Sequence, residues 1–183
     1  MKTVYVFLAD GFEEVEALTP IDVLRRAGLQ VVTVSVMVSQ LVMGAHGVPV
    51  MADALFADID PAGADMLLLP GGMPGAANLD AHPGLSELIL AYAAQDKPLA
   101  AICAAPLVYG NRGLLSGKKA TCYPGFENYL QGAEYTGALV EQDGTFITAK
   151  GPGAAMDFAF AIVEKFCGPE KVQELKQGMM IPA

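Results

Sequence analysis

LAAICAAPL, residues 99–107, decides how the chain is read: an apolar run of strand length passes through Cys103 into small residues and Pro106. Small residues on both sides let a strand turn sharply into a helix without crowding, the layout of a nucleophile elbow. A thiol at such a turn faces the first backbone N–H groups of the helix. Their partial positive charge favours thiolate, so a lowered cysteine pKa is expected. The bland alternative is a buried, inert cysteine, because free Cys often serves as a small core residue. These nine residues alone leave both readings open.

Working outward, similar runs stand at Thr3–Leu8, Val31–Val36 and Met66–Leu69, with Leu99–Ile102 as the fourth strand. The spacing predicts helices over Glu14–Ala27, Leu85–Ala94, Ala104–Arg112 and Ala154–Phe166. Apolar strands alternating with helices predict an α/β fold, a mostly parallel sheet covered by helices on both faces. Pro20 can open a new helical segment but not continue an old one, and Gly28 is a stop signal. An antiparallel excursion is expected near residues 36–52. A hairpin is expected where Val140–Glu141 and Phe146–Ala149 flank Gln142-Asp143-Gly144. A chain of 183 residues fits one domain. Ligands of such sheets bind beyond the carboxyl ends of the strands, so the loops after Leu8, Leu69 and Ile102 are expected to converge on one site.

The first of these loops opens ADGFEEVEAL, residues 9–18. Glu13 and Glu14 fit exposed acids that complement a helix start. Glu16 differs, because Val15, Ala17 and Leu18 surround it with apolar residues and point it towards the sheet edge. An ionised carboxylate beside a thiolate is repelled, so one member of a Glu16–Cys103 pair holds a proton. With the thiolate at Cys103, Glu16 is the holder. The second loop, within LLLPGGMPGAANL (residues 67–79), matches no phosphate-loop pattern. Gly71-Gly72 can present backbone N–H groups beside Cys103 and, with the N–H of Ala104, surround an oxyanion. The alternative is a tight connection ahead of a helix started by Pro83.

Composition narrows the partners. Twenty acidic against 11 basic residues give a net charge of -9, and no Lys/Arg stripe is available to neutralise phosphates, so nucleic acid and anionic membrane are poor partners. Cys103, Cys122 and Cys167 are odd in number and widely spaced, which argues against a disulfide framework and a zinc site and suits a reducing cytoplasm. Neither a metal nor a cofactor is expected. The uncharged stretch Val31–Ala52 has the length of a membrane span, but its Ser35, Ser39, Gln40, His46 and Pro49 indicate strands broken by turns. The N-terminus lacks a signal-peptide pattern and is expected to form a strand.

Taken together, ADGFEEVE, DVLRRAG, LLLPGG, AICAAP and GPGAAMDFAFAIVE resemble the ThiJ/PfpI superfamily, nearest its Parkinson-associated deglycase branch, in order and over nearly the whole chain. The resemblance implies a flavodoxin-like fold, Cys103 as the reactive cysteine, Glu16 as its protonated partner, and Gly72 and Ala104 as backbone donors. It also implies a homodimer, with Gly151–Gly153 in a segment relatives use for association. Two departures bear on the chemistry. Protease-like members carry a His directly after the cysteine, and Ala104 there removes the general base that peptide hydrolysis wants. TCYP places Tyr123 where a His commonly lies in the deglycase branch. His46 falls in the excursion where some relatives place a polar residue that reaches the cysteine across the dimer interface, so Gly71, Tyr123 and His46 complete the candidate site. His82, ahead of Pro83, is expected to cap a helix. Cys122 is either a second redox thiol or a buried residue, and Cys167 has no supporting neighbours. Two functions compete: a stress-protective glyoxalase or deglycase acting on small reactive carbonyls or their adducts, and a non-enzymatic redox sensor or chaperone switched by oxidation of Cys103.

Overall fold

In chain order the computed structural model, which describes residues 1–182, forms β1 (Thr3–Leu8), α1 (Glu14–Arg26), β2 (Gln30–Ser35), β3 (Leu41–Met43), β4 (Pro49–Met51) and β5 (Ala54–Leu55). There follow β6 (Met66–Leu69), α2 (Gly75–Ala81), α3 (Pro83–Ala94), β7 (Leu99–Ile102), α4 (Pro106–Gly110), β8 (Lys119–Ala120) and β9 (Glu134–Tyr135). The chain closes with β10 (Val140–Asp143), β11 (Phe146–Ala149), α5 (Ala155–Cys167) and α6 (Pro169–Gly178). Seven strands make the main sheet in the order β10-β11-β7-β6-β1-β2-β5. All of its pairings are parallel except that of β10 with β11 at one edge. β6, β7 and β11 are buried along their whole length, which is why they read as unbroken apolar runs rather than alternations. One helical group, α1 with α5 and α6, packs on one face, and α2 with α3 and α4 packs on the other. The flavodoxin-like α/β fold expected from the sequence is the fold found.

The expected excursion is the antiparallel β3–β4 hairpin, so the uncharged stretch is strand and turn. Among the described residues no helix is long and apolar enough to cross a membrane. Gly28 ends α1 as expected, with φ of 86°. Its N–H donates to the carbonyl of Arg25 and that of Leu29 to Leu24, the two bonds of a Schellman stop.

Four local expectations need correction. α1 runs straight through Pro20; the proline cannot donate to the carbonyl of Glu16, but burial of Ala17, Ile21 and Leu24 in the core keeps the helix continuous. α4 is five residues long and starts at Pro106 rather than Ala104. The stretch after Gly72 is not only turn, since α2 forms there with Ala76 and Leu79 fully buried. β10 extends through Asp143, so the hairpin loop is Gly144-Thr145, and α6 was not anticipated.

A clasp fixes the helix that follows the elbow. The Arg112 guanidinium, with 10% of its side chain exposed, donates to both the carboxylate and the carbonyl of Asp80, to Ser86 Oγ and to the carbonyl of Val108. It thereby joins the end of α4 to α2 and α3. Removing one partner of a nearly buried pair strands the other, which costs about 3–5 kcal/mol when burial is complete. Because Asp80 is partly exposed, Arg112→Ala is expected to cost about 2–3 kcal/mol, read as a lower urea midpoint at unchanged slope. A midpoint equal to wild type would show the clasp to be dispensable.

Candidate functional site

Cys103 directly follows β7 and takes a φ of 65°. A non-glycine residue there costs about 1–3 kcal/mol and persists only where its surroundings enforce it. Both neighbouring peptide groups are tied. The Cys103 N–H donates to the carbonyl of Ala149 at the end of β11, and its carbonyl accepts from the N–H of Tyr123, each at 2.8 Å. The side chain is thereby aimed at the carboxyl edge of the sheet, where the residue is 8% exposed.

Glu16 meets it from α1. It is 0% exposed; Oε2 accepts from the N–H of Gly71 at 3.0 Å, while Oε1 has no aligned hydrogen bond. The carboxyl lies close enough to the Cys103 thiol that each shifts the other's titration, and Oε1, with no other partner, is the oxygen free to carry a proton. Gly71 has to be glycine: a Cβ there would lie within 3 Å of Glu16 Oε2, Cys103 Cβ and the carbonyl of Ile102. The N–H groups of Gly72 and Ala104 lie near enough to the thiol to favour its charged form.

Charge in this site is controlled first by burial. Desolvation pushes the Glu16 carboxyl up to about 7, the thiol contact pulls it down, and the negative charge of Glu13 adds to the rise. Burial and the Glu16 carboxylate likewise push the Cys103 thiol up, against the pull of the Gly72 and Ala104 N–H groups. The lowering expected from a helix dipole is therefore not what the surroundings produce. α4 begins three residues beyond Cys103 and is short, and the dipole acts only near its first turn. Below about pH 7 the pair holds two protons, and above it one is left for Glu16 and Cys103 to share.

The neighbouring acids are not the exposed residues anticipated. Glu13 caps α1, its Oε2 accepting from the N–H of Glu16 at 2.8 Å, so it also orients the first turn that carries Glu16. Glu14 is buried and accepts from the backbone N–H of His46 and Val48, while its Oε2 lies 2.8 Å from His46 Nδ1. Burial opposes its charge, but these bonds hold the carboxyl below its usual range, and Glu14 in turn raises His46. His46, with its side chain 69% exposed, thus belongs to a junction between the β3–β4 loop and α1, and within one chain it is not bonded to the thiol. Ligand atoms of Glu13, Glu14 and His46 lie within 4.8 Å of one another, but both Glu14 oxygens are already engaged by the hairpin.

Tyr123 is tied to Cys103 through its backbone, while its half-exposed ring lies over Gly151. It lines a groove with Pro124, Leu139, Lys150, Gly151 and Pro152. The sequence reading passed over Lys150, although its place directly before Gly-Pro-Gly was a usable signal. Cys122 is buried, its thiol pushed up to about 12 by desolvation, and Cys167 is exposed. His82 caps α3, its Nδ1 accepting from the N–H of Leu85 at 3.0 Å.

The model of the DJ-1/PfpI family matches residues 2–165. The chain belongs to the DJ-1/PfpI family. Arabidopsis thaliana protein DJ-1 homolog B is 41% identical over 95% of this chain but only 40% of its own length. The Danio rerio Parkinson disease protein 7 homolog is 34% identical, with 98% of this chain and 97% of that protein covered. The chain thus spans under half of the Arabidopsis relatives and nearly all of the fish one. Among solved DJ-1 structures, oxidized Toxoplasma gondii DJ-1 matches with a TM-score of 0.94 at 33% identity, covering both chains completely. Drosophila melanogaster DJ-1beta matches at 0.93 and 34% identity, covering 100% of this chain and 99% of the other. The DJ-1/PfpI family therefore supplies both the fold and the order of motifs seen here.

Proposed function

We propose that this chain is a stress-protective, cytoplasmic DJ-1/PfpI protein that handles small reactive carbonyls through Cys103 and Glu16, as a glyoxalase or deglycase of low turnover. The supporting observation is a fully buried carboxyl beside a thiol on a strained elbow, with the backbone N–H groups of Gly72 and Ala104 near enough to stabilise charge on it. On methylglyoxal, the sulfur adds to the aldehyde carbon and the C=O π pair moves onto oxygen, which the Gly72 and Ala104 N–H groups stabilise. That oxygen takes the Glu16 proton, giving a hemithioacetal. The Glu16 carboxylate then removes the proton on the same carbon and returns it to the neighbouring carbon, while the hydroxyl proton passes to the former ketone oxygen and the C=O bond re-forms next to sulfur. The resulting thioester is hydrolysed by water to lactate and free thiol. No histidine of the chain bonds this pair, which leaves one carboxyl to carry each proton and accounts for slow turnover. Proteolysis lacks its base at Ala104. Purified protein is expected to form lactate from methylglyoxal, with kcat/KM lowered on the order of 10³-fold in Cys103→Ala; equal activity in that variant would overturn the reading.

The unpartnered Oε1 of Glu16 favours a second reading, a redox sensor or chaperone. Two peroxide molecules in turn oxidise the thiolate to a sulfinate, each being reduced to water, and the protonated Glu16 donates to the new oxygen. The Toxoplasma gondii relative was solved in an oxidized form. Mass spectrometry after mild peroxide is expected to find two added oxygens at Cys103 first; earlier oxidation of Cys122 or of methionine would count against it.

A homodimer completes the proposal. Val15 and Leu18 of α1 and Met43, Val48 and Met51 of the hairpin leave apolar side chains exposed, and Glu14 joins these two elements into one face. Covering such a face from water is what self-association achieves. Val15→Glu is expected to shift sedimentation from dimer towards monomer.

A further inference from the structure

The groove beside the elbow has a volume of about 350 Å³, which is within the range of small-ligand sites. Cys103 does not line it, but both walls are tied to the Cys103 backbone. One wall starts at Tyr123, whose N–H donates to the Cys103 carbonyl; the other follows Ala149, whose carbonyl accepts from the Cys103 N–H. Gly151 permits the walls to approach, since a Cβ there would stand 3.1 Å from the Tyr123 ring. The exposed faces of Tyr123 and Leu139, with Pro124 and Pro152, make the lining mainly apolar.

One charge interrupts that lining. The Lys150 ammonium donates to the carbonyl of Gly137 at 3.2 Å, and among the described residues no carboxylate lies within 4 Å of it. An ammonium has three donors, so two remain for a ligand. In a chain of net charge -9 most of the surface repels anions; Glu127 is near enough to feel the Lys150 charge but makes no ion pair with it, so a half-buried lysine with free donors in an apolar groove is a place that selects an anion.

We infer that this groove holds the substituent of a compound attached at Cys103, and that the substituent is a short apolar arm ending in a carboxylate bound by Lys150. The preferred substrate class is then a carboxylate-bearing carbonyl adduct, with free methylglyoxal, which lacks the arm, a poorer substrate. This rests on Cys103 as the nucleophile but not on the rearrangement that follows attack. Lys150 is a specificity residue and takes no part in proton transfer.

The experiment labels the intact protein with two maleimides of equal length, 6-maleimidohexanoic acid and its neutral amide. In each case the Cys103 sulfur bonds to one alkene carbon and the other takes a proton. Labelling is followed by mass spectrometry of the peptide containing Cys103. The acid is expected to react about tenfold faster than the amide in wild type, a ratio that falls to about one in Lys150→Met and is kept in Lys150→Arg. An unfolded chain would also react equally with both probes, so the ratios are compared between proteins with the melting transition of wild type, and a ratio kept in Lys150→Arg but lost in Lys150→Met carries the assignment. Equal rates in wild type, an undiminished ratio in Lys150→Met, or no labelling of Cys103 by either probe would overturn the inference. Absence of lactate formation with the tenfold ratio intact would reject the glyoxalase reading and leave the groove assignment standing.

Discussion

Gly71→Ala is expected to lower the melting temperature by roughly 6–12 °C, the consequence of about 3 kcal/mol lost from a domain of this size. The added methyl would lie within 3 Å of a carboxylate oxygen, the nucleophile's Cβ and a main-chain carbonyl, and only the carboxylate belongs to a side chain with several rotatable bonds. Glu16 therefore has to give way. It then loses its bond from the Gly71 N–H and its alignment with sulfur, so labelling of Cys103 by a thiol reagent changes together with stability. Differential scanning calorimetry and the labelling rate check the two effects separately. A melting temperature within 2 °C of wild type would mean that the loop relaxes more freely than these contacts allow.

Glu16→Gln is expected to alter the pH dependence of stability between pH 4.5 and 7 more than substitution of any other carboxyl residue. The folded carboxyl is held at about 7, against 4.5 for the free side chain. A raised carboxyl makes its contribution in full below pH 4.5, where both states are protonated. It loses that contribution as pH rises to about 7, because the unfolded chain ionises first. A displacement of this size corresponds to about 3 kcal/mol. The difference in unfolding free energy, variant minus wild type, is expected to climb by that order between pH 4.5 and 7 and then to level off. Acids with lowered values, such as Glu14 and Asp65, titrate in the opposite sense but cancel in the difference. A flat difference curve would show that Glu16 ionises normally. On the proposed carbonyl chemistry the same variant has no carboxyl to carry the proton, and its turnover falls on the order of 10²–10⁴-fold.

The sheet could be read from the sequence because its central strands are buried on both faces and have almost no polar residue to blur the pattern. α2 could not, because its helix opens with Gly75 and is held by burial of Ala76 and Leu79, a tertiary effect that local propensity does not carry. The place of Glu16 was legible from its apolar neighbours. Glu14 was misjudged because its partners lie more than thirty residues away in the β3–β4 loop, a closure no local pattern announces. The thiol's electrostatics were misjudged for a related reason. A strand-to-helix turn can be foreseen from small residues, but the length of α4 and the depth of burial at Cys103 are set by the packing of β11 and the 121–123 segment around it.

The elbow is held by main-chain groups alone. Ala149 and Tyr123 fix the peptide on either side of residue 103, and neither bond involves the sulfur. The backbone is in effect a socket, indifferent to the functional group inserted in it. Exchange of the nucleophile for an oxygen or selenium counterpart would keep the same angle of presentation, and the scaffold offers protein engineers a position where reactivity is varied by one atom without rebuilding the support.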